Sequence, residues 1–364
     1  MPNPIYLIAG ARPNFMKIAP LIKKLEVNDL PYKLIHTGQH YDYNMSKIFF
    51  DDLGIPEPDI HLNVGSASHA VQTAQIMIKF EKVILTERPS LIVVVGDVNS
   101  TLACALVAKK LHISVAHVEA GLRSYDRRMP EEINRVLTDQ LSELLFTSEP
   151  SGRRNLLKEG ISETKIHFVG NIMIDTLVSN LEKSKNLKTY DQYGLEKGSY
   201  ALITLHRPSN VDDKKSLEKL IGIINYIQSK TKVFFPMHPR TRNRVSQFGL
   251  DDILVGKNMI ITEPIGYLEF LDLMAHARFI LTDSGGIQEE ASYLKVPVLT
   301  LRENTERPVT IEKGTNTIVG KDFNKITELV DSILAGTYKI GSEIEKWDGN
   351  TAERIVHILS VKLS

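Results

Sequence analysis

Between His117 and Arg135 the chain reads HVEAGLRSYDRRMPEEINR, which sets Glu119, Glu131 and Glu132 among Arg123, Arg127, Arg128 and Arg135. An apolar run over 113–116 leads into it, so the carboxylates begin where a predicted strand ends. That is where open α/β sheets hold their ligands. Asp97 closes a second apolar run, LIVVVGD. If the two strands are neighbours, the Asp97 and Glu119 carboxylates lie close together. Like charges at that range push one carboxyl group towards protonation, which suits a pair that removes and delivers protons. Plainer roles are open to the same residues. Asp97 can cap the following helix, one of Glu131 and Glu132 can serve the first turn of the helix that begins there, and the cluster can be a structural ion-pair network.

A second cluster, TDSGGIQEE over 282–290, has the same strand-to-helix position further along the chain. Free backbone N–H groups at Ser284, Gly285 and Gly286, with the positive helix end, suit an anion. Glu290, one turn further in, can accept hydrogen bonds from a ribose diol. The letters DSGG also occur in serine proteases, but a strand-turn-helix in a parallel frame is the wrong setting for that chemistry. His206-Arg207-Pro208 and His238-Pro239-Arg240 each follow an apolar strand, and Arg302 and Arg307 follow another. Near the start, Gly10-Ala11-Arg12-Pro13-Asn14 joins a strand to a helix, as a solvated turn or with Arg12 aimed at a phosphate. It is neither a dinucleotide fingerprint nor a phosphate loop. Together Arg12, His206, Ser284 to Gly286 and Arg307 would surround a diphosphate. No histidine spacing supports a metal site.

These groups need a frame. Strands are predicted over 5–9, 32–37, 91–95, 114–118, 144–147 and 166–169, alternating with helices over 14–26, 45–53, 70–86, 101–111, 131–142 and 151–159. Continuous apolar strands mark a parallel sheet buried on both faces. The polar stretch 187–199 reads as a linker. Alternation then resumes, with strands over 201–205, 233–236, 259–262, 279–282 and 298–301, and helices over 215–228, 267–276, 287–293 and 325–334. The expected architecture is α/β: two Rossmann-like doubly wound domains over 1–170 and 171–350, with a helix over 351–364 completing the first. A length of 364 residues suits two cores. Lys plus Arg and Asp plus Glu both number 44, so no global charge points to nucleic acid or membrane. The single cysteine, Cys104, excludes an internal disulfide. No signal peptide or run of about 20 apolar residues is seen, and a soluble, cytoplasmic protein is expected.

The segments GARPNFMKIAPL, HTGQHYDYNM, VVVGDVNST, HVEAGLRS, MPEEINR, VGNIMIDT, TLHRPSN, DSGGIQEEA and LRENTERP follow one another as in one family. Together they resemble the non-hydrolysing UDP-N-acetylglucosamine 2-epimerases over nearly the whole chain. The resemblance implies two domains in the glycosyltransferase-B arrangement with the active site in the cleft. It also implies a homodimer, no cofactor, and interconversion of UDP-GlcNAc and UDP-ManNAc through 2-acetamidoglucal, supplying surface polysaccharides. It assigns proton transfer to Asp97, Glu119 and Glu131 and leaving-phosphate stabilisation to His206. UDP binding falls to Arg12, Lys17, Ser284, Gly285, Gly286, Glu290 and Arg307, with Phe270 near the base. Related enzymes epimerise other UDP-N-acetyl sugars, and hydrolysing relatives release free ManNAc and UDP. The chain departs from the commoner pattern at GARPNF, at GSASH over 65–69, and at Tyr41 and Asp42. The last two lie beside Gln39 and His40, in a region where some members bind a second UDP-GlcNAc.

Overall fold

A computed structural model describes residues 3–39, 50, 53–254 and 256–363. The chain forms two compact units, Met1–Ser179 with Glu345–Ser364, and Asn180–Ile344. The first carries seven strands: β1 Ile5–Ala9, β2 Tyr32–His36, β3 Ile60–His61, β4 Leu91–Val95, β5 Ser114–Val118, β6 Leu144–Thr147 and β7 Ile166–Phe168. Their order is β3-β2-β1-β4-β5-β6-β7, with every pairing parallel. The second carries β8 Tyr200–Thr204, β9 Lys232–Pro236, β10 Met259–Thr262, β11 Phe279–Thr282, β12 Val298–Thr300 and β13 Asn316–Ile318. Its order is β10-β9-β8-β11-β12-β13, again all parallel. Each is therefore a doubly wound sheet of Rossmann type.

Burial explains the choice of residues. Every residue of LIVVV in β4 is at most 1% exposed, and burying each such side chain contributes about 1.5–3 kcal/mol. Ile92 and Val94 pack with Ile76, Phe80 and Ala103 in one core, and Ile203, Leu281 and Leu299 pack with Leu220 and Ile224 in another. Cys104 is buried in the first. Among the described residues no helix is long and apolar enough to cross a membrane.

The structure differs from the sequence pattern in places. β3 has only two residues, and β13, Asn-Thr-Ile, has a single apolar one, so neither registers as an apolar run. Helix Pro239–Phe248 is masked by its polar composition, PRTRNRVSQF. Helix Ile172–Leu187 bunches its apolar residues in its first turns, and the chain passes from one unit to the other within it. The stretch 187–199 is no free linker but part of the second unit. It contains helix Thr189–Gln192, Gly198 N–H donates to the His276 carbonyl at 2.8 Å, and the Tyr193 ring packs on Phe234 at 4.7 Å. The helix expected over 45–53, and His40, Tyr41 and Asp42, lie outside the described residues, apart from Phe50 and Leu53.

Candidate active site

In the first sheet, winding reverses between β1 and β4, and the loops leaving the strands at such a point form a crevice. Arg12 and Lys17 follow β1, Asp97 follows β4, and Glu119 follows the adjacent β5. Gly10 is required because a Cβ there would lie 2.3 Å from the Ser100 hydroxyl oxygen. Asn14 fixes the turn by accepting from Gly10 N–H at 3.1 Å and Ala11 N–H at 2.9 Å, while donating to the Val95 carbonyl at 3.1 Å. This carries helix Arg12–Val27 onto β4 and brings the Lys17 ammonium to the Glu119 carboxylate as a buried ion pair. Glu119 has φ +70°, a left-handed conformation costly for a residue with a Cβ. Strain of this kind gathers at functional sites.

Strands β4 and β5 are adjacent, and a basic side chain pairs with each carboxylate. Asp97 is paired with Arg135, and Glu119 with Lys17. Each carboxylate thus has its own cation. Glu131 and Glu132 separate clearly. Glu132 is buried and accepts from Ser124 N–H, the Ser124 hydroxyl and Tyr125 N–H, all at 2.9 Å, and it pairs with Arg135 at 3.1 Å. It holds the loop and the arginine that holds Asp97. Glu131 is half-buried and lines a cavity of about 260 Å³ with Gln39, His69, Gln72, Asn99 and Asn134.

Beneath these groups lies a network that the sequence pattern does not reveal. His117, fully buried, has Nδ1 2.7 Å from an Asp139 oxygen and Nε2 2.7 Å from the Gly96 carbonyl, just before Asp97. Asp139 also accepts from Gly121 N–H at 3.0 Å and pairs with Arg123, which grips Glu159. Arg123 therefore belongs to the scaffold, whereas Arg128 makes an exposed pair with Asp126. Part of the charged cluster is structural, as its plainer reading allows.

In the second sheet the reversal falls between β8 and β11. His206 follows β8 and Asp283–Ser284–Gly285 follow β11. The fully buried Asp283 carboxylate lies 2.8 Å from His206 Nδ1 and accepts from Arg207 N–H at 2.9 Å and the Asn210 amide at 3.1 Å. Burial works to raise its pKa, but His206 and the other donors more than offset this and hold it below the usual carboxylate range. With Nδ1 bound to Asp283, the imidazole of His206 is left with Nε2 for a ligand. His238 stands beside it, ring centres 5.7 Å apart, with Nδ1 accepting from Arg240 N–H.

Ser284 stands at the N-cap position of helix Gly285–Tyr293, with no capping hydrogen bond from its side chain. A Cβ on Gly285 would lie 3.3 Å from an Arg307 nitrogen and 3.5 Å from an Arg302 nitrogen, so the helix start and two guanidinium groups converge. Glu306 bridges both arginines at 2.9 and 2.7 Å, and Glu289 holds Arg307 at 2.7 Å. Burial, chiefly, lowers the Arg302 pKa. Such a cradle suits an anion. Glu290, also buried, meets the hydroxyl of Tyr267, the first residue of the helix that carries Phe270. The structure thus gathers His206, Ser284 to Gly286 and Arg307 at one set of strand ends, and Arg12, Lys17, Asp97 and Glu119 at another. Arg302, Arg135, His117 and Asp139 join them as supports; only Arg302 and Arg135 carry a sequence signal.

Ion-paired carboxylates at the strand ends of one doubly wound unit, and two arginines at the start of a helix in the other, place the chain among α/β proteins of Rossmann type that carry polar groups at their strand ends. A family profile described as UDP-N-acetylglucosamine 2-epimerase matches residues 23–360. The UDP-N-acetylglucosamine 2-epimerase of Methanocaldococcus jannaschii is 47% identical over 97% of this chain and 98% of its own. A crystal structure of the enzyme from that organism, in complex with UDP-GlcNAc and UDP, superposes with a TM-score of 0.89 at 46% identity over 98% of this chain and 99% of that one. A UDP-2,3-diacetamido-2,3-dideoxy-D-glucuronate 2-epimerase of Pseudomonas aeruginosa is 39% identical over 98% of this chain and 99% of its own. The protein belongs to the UDP-N-acetylglucosamine 2-epimerase family and is an epimerase.

Proposed function

We propose that the protein reversibly inverts C2 of UDP-N-acetylglucosamine, giving UDP-N-acetylmannosamine. The observation that carries this reading is the pair of cation-held carboxylates, Asp97 and Glu119, on neighbouring strand ends. The C2 proton is not acidic, because no carbonyl is attached to that carbon, so direct deprotonation is closed. Elimination is open: a carboxylate takes the C2 proton, the C1–C2 double bond forms, and the C1–O bond breaks with its electron pair leaving on the UDP oxygen. Re-addition reverses these steps, with the proton delivered to the opposite face of C2. Asp97, Glu119 and Glu131 handle the protons. His206, oriented by Asp283, supports the departing phosphate, and Arg12, Lys17, Arg307 and the 284–286 turn receive UDP. Phe270 packs by the base and Glu290 reads the ribose.

Proton NMR of the protein with UDP-GlcNAc in D2O tests this. UDP-ManNAc appearing with deuterium at C2 of both epimers is the expected result. Free ManNAc would mean a hydrolysing enzyme, and unchanged UDP-GlcNAc would remove this substrate. The Pseudomonas relative supports a second reading, in which the sugar is a different UDP-N-acetyl sugar and the chemistry is the same. A nucleotide-sugar substrate supports a cytoplasmic location and a role in supplying surface polysaccharide synthesis.

The partner we assign is a second copy of the chain. Helix His69–Thr86 exposes Val71, Ile78 and Leu85 at 48%, 57% and 69%, seven residues apart and so on one face. Ile133 and Leu137 are exposed on helix Pro130–Leu141, and both helices pack on Asn99–Lys110. Light scattering at micromolar concentration should give a dimer mass that falls to a monomer on replacing Val71, Ile78 and Leu85 with serine. A monomeric wild type, or a dimeric triple variant, would refute the assignment.

A further inference from the structure

Glu289 and Glu290 are adjacent buried carboxylates with different partners. Glu289 takes the Arg307 guanidinium. Glu290 makes no ion pair among the described residues, and one of its oxygens accepts from the Tyr267 hydroxyl at 2.8 Å. A buried carboxylate held by one neutral donor is a costly arrangement for stability alone. Side chains of a helix lean towards its N-terminus, so Glu290 points back to the Ser284–Gly286 turn.

The element that brings Tyr267 there is itself well fixed. Gly266 N–H donates to the Glu269 carboxylate at 2.9 Å, and Phe270 N–H donates to the Gly266 carbonyl at 2.9 Å. Tyr267 and Phe270 stand three residues apart on one face of that helix, both half-buried. Base and ribose are covalent neighbours in a nucleotide, so an aromatic beside a ribose-reading carboxylate matches their spacing.

We propose that Tyr267 is a positioning residue for nucleotide recognition: its hydroxyl holds one oxygen of Glu290 so that the other is presented to the ribose 2′ and 3′ hydroxyls. The inference rests on the UDP-binding reading given above. Left without that tie, the carboxylate could turn about its last side-chain bonds, and its hydrogen bonds to the diol would lose their direction.

Calorimetric binding of UDP and of 2′-deoxy-UDP to the intact enzyme tests it, with Tyr267→Phe removing one oxygen and keeping the ring. Wild type should prefer UDP by about tenfold, the worth of one good hydrogen bond to a charged acceptor. Tyr267→Phe should shrink that preference to about threefold or less, raise KM and leave kcat in place. A preference that survives in Tyr267→Phe, or equal weakening for both nucleotides, overturns the proposal. So does an effect of Tyr267→Phe on the preference that persists in a Glu290→Gln background, because the hydroxyl would then touch the ribose itself. Two wild-type outcomes strike the underlying reading instead: no binding of UDP removes the UDP site, and equal binding of both nucleotides removes the ribose role of Glu290.

Discussion

Glu119→Gln and Asp97→Asn are each expected to lower turnover by about 10²–10⁴-fold, the range for loss of a positioned acid or base. UDP affinity should stay within about threefold, because neither carboxylate is part of the anion cradle. The two side chains differ in access: that of Asp97 is 33% exposed and that of Glu119 is 4% exposed. Asp97 is the more accessible of the two, and Glu119 is held in its ion pair with the Lys17 ammonium. The two amides differ in structural cost, since Glu119→Gln takes the counter-charge from the buried Lys17 ammonium. Arg135 keeps Glu132 when Asp97 is neutralised, and glutamine tolerates the left-handed backbone at position 119 no worse than glutamate does. Steady-state rates with UDP-GlcNAc, alongside calorimetric UDP binding, separate the possibilities. If UDP affinity collapses together with turnover, these carboxylates hold the structure and do not move protons.

Glu290→Gln should stabilise the ligand-free protein at pH 8 by about 3 kcal/mol, and by almost nothing at pH 4. Burial raises the Glu290 pKa from 4.5 to about 7, with the Tyr267 hydrogen bond working the other way and the Glu289 charge adding to the rise. The sign follows from counting protons. Between 4.5 and 7 the folded chain holds a proton that the unfolded chain has released, so rising pH favours unfolding through that window. Above about 7 both states are ionised and the full penalty is in place. Glutamine keeps the shape and can still meet the Tyr267 hydroxyl, but it carries no charge to desolvate. Denaturant unfolding of both proteins from pH 4 to pH 8 reads the difference, in which all other titrating groups cancel. A difference that is flat with pH would mean that Glu290 ionises as an ordinary carboxylate.

The penalty has a counterpart in binding. An ionised carboxylate accepts from two ribose hydroxyls, whereas its protonated form gives up an acceptor. A group that weakens the empty protein is thus well matched to a ligand that supplies the missing donors.

Much of this was legible in the chain because strand ends leave a local mark. An apolar run that stops at Asp97, Glu119, His206 or Asp283 announces both the strand and the position of a loop residue. Two edge strands leave no such mark: Ile60–His61 has two residues and Asn316–Ile318 a single apolar one, whereas the edge strands Ile166–Phe168 and Met259–Thr262 still read as runs. Partners distant along the chain were equally invisible. Lys17 and Glu119 are 102 residues apart, and nothing near either one names the other. The choice between Glu131 and Glu132 also turned on tertiary contacts, since both sit in the first turn of one helix. Contacts from Ser124, Tyr125 and Arg135 hold Glu132 inward.

The first unit is made from two stretches of chain, Met1–Ser179 and Glu345–Ser364, separated by the whole of the second. Helix Thr351–Leu363 buries Ala352, Ile355, Val356 and Leu359, packs on helix Arg12–Val27, and presents the Thr351 and Ala352 amides to Asp175 at 3.1 and 2.7 Å. A ribosome makes protein in one direction, so the second unit can emerge and fold as one uninterrupted piece while the first still waits for that helix. Translation halted anywhere in between would leave an apolar groove along helix Arg12–Val27 uncovered, available to chaperones and proteases. The strand ends that carry Asp97 and Glu119 therefore belong to a unit whose last piece of chain is made after the Ser284–Gly286 turn.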